Sequence, residues 1–332
     1  MLRRRRTRTR AATDDVHVFL IWPTAAAHAD RILADIEQLF CVHELIRVRW
    51  TGERFAENLG RFYGPALPPG VDKLTETGQG DLQVVVISDP APRYRLRRRT
   101  VGRARVNANV FDAKQRYRSW TGGGHLVHAT NDRLEAERDL FLLFARTVES
   151  VAPSDCRTRP AVQLVESDLV GATGWSSLQE LLTAVELSGG YALLNPDEPE
   201  PPRLVTRDAW AAEILKARPA GDGLHHEALI AGTPTLLELS WVGDDGLPAA
   251  WQEAIVRDAT RAASGVLVAA PADRFYARVE RLLRSDVRPS VEEAAALRRL
   301  GESAGVPPGD YGDRTFLRAT LDAFLSSRRA RG

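Results

Sequence analysis

The 332-residue sequence predicts an α+β fold in two domains. Three observations lead there. Short apolar runs of strand length recur through the first half, amphipathic helical stretches separate them, and residues 151–174 carry Pro, Ser, Asp and Gly without a period before a second set of elements begins. The length allows two cores that need no staples.

The run HVFLIWP (17–23), closed by proline, reads as a buried strand. The stretch AAAHADRILADIEQLF places Ile32, Leu33, Ile36 and Leu39 at helical spacing, so a helix packed on that strand is expected. VHELIRVRW, with apolar Leu45, Ile46, Val48 and Trp50, reads as an alternating strand with one solvated face. GERFAENLGRFYG is a short helix stopped by Gly64, and LQVVVIS (82–88) is apolar on both faces, as at the middle of a sheet. The arginine-rich segment from Pro92 to Trp120 has little periodicity; a polar segment of that length is either disordered or functional, and its aromatic residues favour function. HLVHAT is then a strand and NDRLEAERDLFLLFARTVES a helix, with Asp132 and Glu135 at capping-box spacing and a buried stripe of Leu140, Leu143, Phe144 and Thr147. Residues 15–150 thus read as a sandwich of helices on one sheet.

Residues 1–14 read as a disordered basic tail and 151–174 as a linker. A second small α/β domain is expected over 175–290 and a helical C-terminal region over 291–332. The second domain opens with a helix (SSLQELLTAVEL) and a strand (YALL) and breaks in NPDEPEPP. A helix near 207–217 follows, then a hairpin, EALIAGTPTLLELSWVG, turning at Gly232 and Thr233.

The 45 basic and 44 acidic residues nearly cancel. No global field draws the chain to nucleic acid or to an anionic membrane, so no specific nucleic-acid partner is expected and any charge-based function must be local. No apolar run approaches the roughly 18 residues needed for a membrane span, so membrane insertion is not expected. Cys41 and Cys156 share no metal-ligand spacing and read as core thiols in a reducing, cytoplasmic setting.

The stretch WTGGGHLVHATNDRLEAERDLFLLF (120–144) concentrates the candidate chemistry. Gly122–Gly124 and the start of the following helix would expose backbone N–H groups to an oxyanion. His128, at the end of the strand, could attack a phosphoryl group if a carboxylate fixes its tautomer; Asp139, two turns into the helix, is the candidate partner. Three readings of His128 stand: a structural residue, a phosphoryl nucleophile, or a phosphate-binding group without covalent chemistry. A metal clasp with His125 is disfavoured because residues three apart on a strand point to opposite faces, and no metal site is expected.

The stretch HLVHATNDRLEAERDLFLLF resembles the signature of nucleoside diphosphate kinases, N-x-x-H-G-S-D followed by a helix carrying A-E-x-E. The resemblance extends to FLIWPTAAAHADRILADIEQLF, to FYG and to GDLQVVVISD, covering about 16–150. It implies a ferredoxin-like α/β sandwich, an antiparallel sheet with helices on its faces. It implies that His128 is the phosphorylated histidine, with Asp139 where the family has glutamate. It implies that Tyr63 lies in the nucleotide-stacking region, that Arg99, Lys114, Arg116 and Arg118 are candidates to hold a triphosphate, and that His125 is a candidate nucleotide- or phosphate-binding residue. The implied ligand is ATP or another nucleoside triphosphate carried with Mg²⁺, and oligomers are possible. The sequence departs from the family at Trp22, where it has a phosphate-contacting lysine, and at His125, where it has a site-orienting asparagine.

The second half more faintly resembles nucleotidyltransferase-like domains found in bacterial proteins associated with surface glycans, through the order GWSSLQELL, YALLN, IAGTPTLLELSWVGDD and W-x-x-A-I. That resemblance implies a metal-holding carboxylate pair where NPDEPEPP stands, so an inactive binding module is expected, with Glu238 a relic and Asp244 and Asp245 turn residues. The resulting expectation is a nucleotide-dependent phosphotransferase acting through phosphohistidine on an unknown acceptor, in surface-glycan or nucleotide metabolism. The alternative is an inactive scaffold that binds a nucleotide, a glycan precursor or a protein.

Overall fold

Strand β1 (Asp15–Ile21) is buried from Val16 onward, as its apolar sequence requires of a strand with neighbours on both edges. A computed structural model describes it together with residues 16–64, 72–98, 102–152, 154–156, 158–198, 200–221, 225–285 and 287–329. The tail expected at 1–14 lies outside the described residues. The chain divides into two units at Thr173/Gly174.

In the first unit β1 is followed by α1 (Ala29–Leu39), β2 (Cys41–Arg49), α2 (Phe55–Tyr63), the short α3 (Lys73–Thr77), β3 (Leu82–Asp89), β4 (Tyr94–Arg98), β5 (Arg103–Asn107), α4 (Ala108–Trp120), β6 (Val127–Ala129), α5 (Arg133–Phe144) and β7 (Val162–Glu166). The main sheet has the order β6-β1-β3-β2-β7. Its first four strands are each antiparallel to their neighbours, the ferredoxin-like arrangement, and β7 joins β2 in parallel. Phe19, Ile21, Val85, Ile87, Val127 and Ala129 face α1 and α4 in one core. The alternate residues, His128 among them, point to the opposite face, where α5 lies against β1.

Two expectations change here. β2 has no solvated face along most of its length: only Arg47 and Arg49 are exposed. A register shift between Val42 and Glu44 puts Val42 and Leu45 on the same α1-facing core, so simple alternation cannot describe the strand. The buried stripe of α5 also ends sooner than read. The helix stops at Phe144 because Ala145 turns left-handed (φ 52°), leaving Thr147 exposed beyond it.

Residues 151–173 are not a linker. They contribute β7 to the sheet, and Cys156 forms a disulfide with Cys41 at the start of β2. The cysteines are therefore not free core thiols; Cys41 is buried, Cys156 is exposed, and 115 residues separate them.

The second unit contains α6 (Leu178–Ser188), β8 (Tyr191–Leu193), β9 (Arg203–Thr206), α7 (Trp210–Leu215), β10 (Arg218–Pro219), β11 (His225–Ile230), β12 (Thr233–Trp241), α8 (Ala249–Arg257), β13 (Thr260–Arg261), β14 (Leu267–Val268), α9 (Pro271–Arg284), α10 (Val291–Ser303) and α11 (Arg314–Arg329). Among the described residues its strands run β10-β11-β12-β9-β8-β14-β13. The β11–β12 turn falls on Ala231 and Gly232, both at positive φ (48° and 76°), one residue before the expected position, because Thr233 already pairs with Ile230. Leu297 of α10 and Leu317 and Leu321 of α11 share one core with Phe275 and Val279 of α9, so no boundary separates 291–329 from the elements before it. Among the described residues no helix is long and apolar enough to cross a membrane.

A crosslink that closes so long a loop restricts the unfolded chain, an effect typically worth 2–4 kcal/mol. Cys156→Ser is expected to lower unfolding stability by roughly that amount, measured by urea melts. Wild type treated with dithiothreitol should match the variant, and a melt insensitive to both would show that the bond does not support the fold.

Candidate functional site

The site is built where β6 meets α5. His128 stands opposite Leu20 of β1 in the antiparallel register, and it faces the helix that its own strand runs into. Asp139 lies on the buried side of α5 and is fully inaccessible. Its Oδ2 accepts a hydrogen bond from His128 Nε2 at 2.8 Å. Its Oδ1 accepts two from the Arg138 guanidinium, at 3.0 and 2.6 Å. With Nε2–H held by the carboxylate, the His128 lone pair is directed to Nδ1. Ring contacts hold the imidazole edge-on: Phe62 and Tyr63 of α2 lie with centroids 5.5 and 5.8 Å away. Arg138 covers the Phe62 ring at 5.7 Å, and the charge of Asp139 keeps that guanidinium protonated against its burial.

Tyr63 joins this dyad to a second group of charges. Its hydroxyl accepts the Trp22 indole N–H at 2.7 Å, and burial pushes its ionisation well up. Lys73 of α3 lies 4.9 Å from the Tyr63 ring centroid and donates to Glu76 (3.0 Å) and to the His125 carbonyl (3.2 Å). Arg118 donates Nε–H to the Val127 carbonyl at 2.9 Å, and among the described residues its terminal nitrogens make no hydrogen bond. Burial holds both Lys73 and Arg118 below their ordinary basicity. His125 is pushed down as well, by burial first and then by these two cations.

At both backbone seats expected for an oxyanion, the protein's own carboxylates take N–H groups. Gly122, Gly123 and Gly124 all lie at positive φ (86°, 97° and 67°), a run that requires glycine, and they reverse the chain from α4 into β6. The Glu76 carboxylate packs on Gly124 and accepts the His125 backbone N–H. At the start of α5 the Asp132 side chain accepts Glu135 N–H at 2.9 Å, and Glu135 accepts the Asn131 backbone N–H at 2.7 Å. Asp132 caps the helix as expected, but Glu135 reaches Asn131 rather than closing the box on Asp132.

Of the expected site residues, the structure brings together His128, Asp139, Tyr63 and Arg118. Lys114 is buried and donates to the Ala129 carbonyl (2.8 Å) and to Asn131 Oδ1 (2.9 Å), which ties β6 to α4. Arg116 pairs with Asp35 of α1 and lies beside Tyr117 and Trp120, on the other face of the sheet. Neither is placed as a phosphate ligand. The His125 ring lies 3.5 Å from Glu76, so it is a neighbour of the second charge group and not part of the dyad. Arg99 lies outside the described residues. The β4–β5 pair springs from the opposite end of β1: Tyr94 donates to Asp15 and Asn107 to Asp89. Five residues of strand separate Asp15 from Leu20, roughly 17 Å at the usual rise.

Sequence reasoning missed Lys73, Glu76, Arg138 and Phe62. Lys73 and Glu76 occupy a five-residue helix too short to show a period, although Asp72 caps it. Arg138 had a visible cue, a cation adjacent to the singled-out aspartate. Among the described residues no three His, Cys, Asp or Glu side chains gather as a metal site. In the second unit Asp244 accepts the Trp241 and Gly246 N–H groups, as a turn residue should. Asp197, Glu198, Glu200 and Glu238, in and beside the proline-rich break, pair with Arg274, Arg278, Arg281 and Arg203.

Glu135 supplies a pH test. Burial pushes its carboxyl up, but the charges of His128, Arg138 and Lys114 and the Asn131 N–H outweigh this and hold it down at about 2. A carboxylate held below its unfolded value stabilises the fold above the unfolded pKa and loses that contribution as pH falls towards the folded one. Glu135→Gln is therefore expected to cost about 3 kcal/mol at pH 7 and much less near pH 2. Equal losses at both pH values in urea melts would remove the ionised carboxylate from this account. No family model, curated protein or solved structure matches the chain.

Proposed function

We propose that the first unit is a phosphotransferase that works through phosphohistidine at His128. The observation that carries this reading is the fixed dyad, with Nε2 bonded to a buried carboxylate whose other oxygen is held by Arg138. In the proposed step the Nδ1 lone pair attacks the terminal phosphorus of a nucleoside triphosphate. An N–P bond forms, the bridging P–O bond breaks, and the electron pair leaves with the diphosphate. The imidazolium that develops keeps its Nε2 proton, and Asp139 balances the charge. Arg118, with its terminal nitrogens open, would face the transferring oxygens, and Tyr63 would hold the ring edge-on. The second half of the cycle returns the phosphoryl group to an acceptor whose chemistry the site does not specify.

The resemblance to nucleoside diphosphate kinases supports the same reading and implies Mg²⁺. Near the dyad the carboxylates of Glu76, Asp132, Glu135 and Asp139 each accept hydrogen bonds from the protein's own groups, and no step is routed through a metal. A second reading, a nucleotide- or partner-binding scaffold without chemistry, is favoured by one observation. Trp22 fills the place where the resembled family has a lysine, and it is fully buried against Trp50, Phe62 and Tyr63.

Incubation with γ-labelled ATP should give a base-stable, acid-labile label that is absent from His128→Ala. Asp139→Asn should slow labelling by about 10²-fold or more, the usual weight of a group that sets protonation. Nucleotide binding by calorimetry with no label under any divalent cation would leave the scaffold reading in its place.

A further inference from the structure

The overall charge balance conceals one strongly basic element. Between Asp89 and Asp112 the sequence has seven arginines and no acidic residue. The described part of this segment is a two-stranded ribbon, β4–β5, that pairs with no other sheet. Residues directly opposite on an antiparallel pair share a face. The register pairs Tyr94 with Asn107, Leu96 with Arg105 and Arg98 with Arg103. One face therefore carries, beyond half-buried Tyr94 and buried Asn107 at its base, Leu96, Arg98, Arg103 and Arg105, all four exposed, with Leu96 at 69%. The other face holds Val106, fully buried, Arg97, which reaches Asp112 of α4, and exposed Arg95; at Val106 and Arg97 it is turned to the protein.

Arg98 and Arg103 are cross-strand neighbours of like charge, an arrangement that works against the isolated ribbon. Among the described residues neither makes an ion pair or hydrogen bond, and Arg105 touches only the Tyr94 ring, at 5.6 Å. A polyanion laid on this face would compensate the repulsion. The ribbon rises from the end of β1 opposite His128, so these arginines serve a partner other than the molecule at the dyad.

We propose that the outward face of β4–β5 binds the phosphate backbone of a nucleic-acid duplex. Guanidinium forks match phosphate oxygens, and a two-stranded ribbon is of a size that the major groove of DNA, about 12 Å wide, admits. An acidic membrane is the weaker fit, because interfacial anchoring needs several exposed apolar side chains and this face offers Leu96 alone.

The test uses the full chain and fluorescence anisotropy with DNA and RNA duplexes of arbitrary sequence from about 50 to 200 mM salt. The triple variant Arg98→Gln, Arg103→Gln, Arg105→Gln is expected to bind at least tenfold more weakly. Its slope of log affinity against log salt should be shallower by roughly 0.9 for each lost contact. The triple Arg→Lys variant should keep most of that slope. Tm in the absence of ligand should hold or rise in the Gln variant, since the like-charge pair is relieved; a merely structural role would lower it. Equal binding by wild type and the Gln variant would overturn the proposal, as would absence of duplex binding. Binding to vesicles containing phosphatidylserine but not to duplex would overturn it in favour of a membrane surface.

Discussion

The first unit is organised around one buried charge. A carboxylate with no access to water is tolerated only when both oxygens find charged or hydrogen-bonding partners, and Asp139 finds them in His128 and Arg138. The constraint reaches well past the pair. It fixes how α5 is rotated over β6, since another rotation would leave the charge alone. It also draws Arg138 over Phe62, one of the two rings that hold His128 edge-on. Phe62 and Tyr63 pack against the buried His128 ring, and low-dielectric surroundings strengthen the electrostatics of the dyad. The ionic and aromatic parts of the site therefore depend on each other.

Strand β1 sets apart two differently charged regions by its length alone. Its last turnings, around Leu20, carry the register that places His128; its first residue, Asp15, receives Tyr94 and Asn107 from the base of the arginine ribbon. Between them the strand is covered on both faces. At this separation the exposed ribbon charges are largely screened in physiological salt, so they act only weakly on the far end of the strand. A chain with almost no net charge can thus present a dense cationic surface at one place and a compensated, enclosed site at another.

Much of the fold was legible because burial leaves a trace in hydrophobic pattern. The apolar runs at 17–22 and 82–88 gave the two central strands, and the spacing of Ile32, Leu33 and Ile36 gave α1. The pairing of His128 with Asp139 was legible too, since an eleven-residue separation across a strand and two helical turns is a local relation. What failed was whatever depended on distant chain. The bulge in β2 hid its burial, and the parallel addition of β7 was invisible in a segment that reads as polar linker. Lys114 and Arg116 look alike in sequence, yet helical rotation sends one to the β6 carbonyls and the other to α1. The glycine run did mark a seat for an anion, but no pattern could show that Glu76, 49 residues away, occupies it.

The bond between Cys41 and Cys156 has a topological consequence. It turns everything from the start of β2 to the approach of β7 into a covalent ring that contains α2, α3, α4, β6 and α5, and hence both halves of the dyad. Cleavage of a single peptide bond within that span opens the ring without releasing a fragment, so the cut protein keeps its mass until the disulfide is reduced. Because Cys156 is exposed, the reductant content of the surroundings decides whether one cut is silent or divides the unit in two.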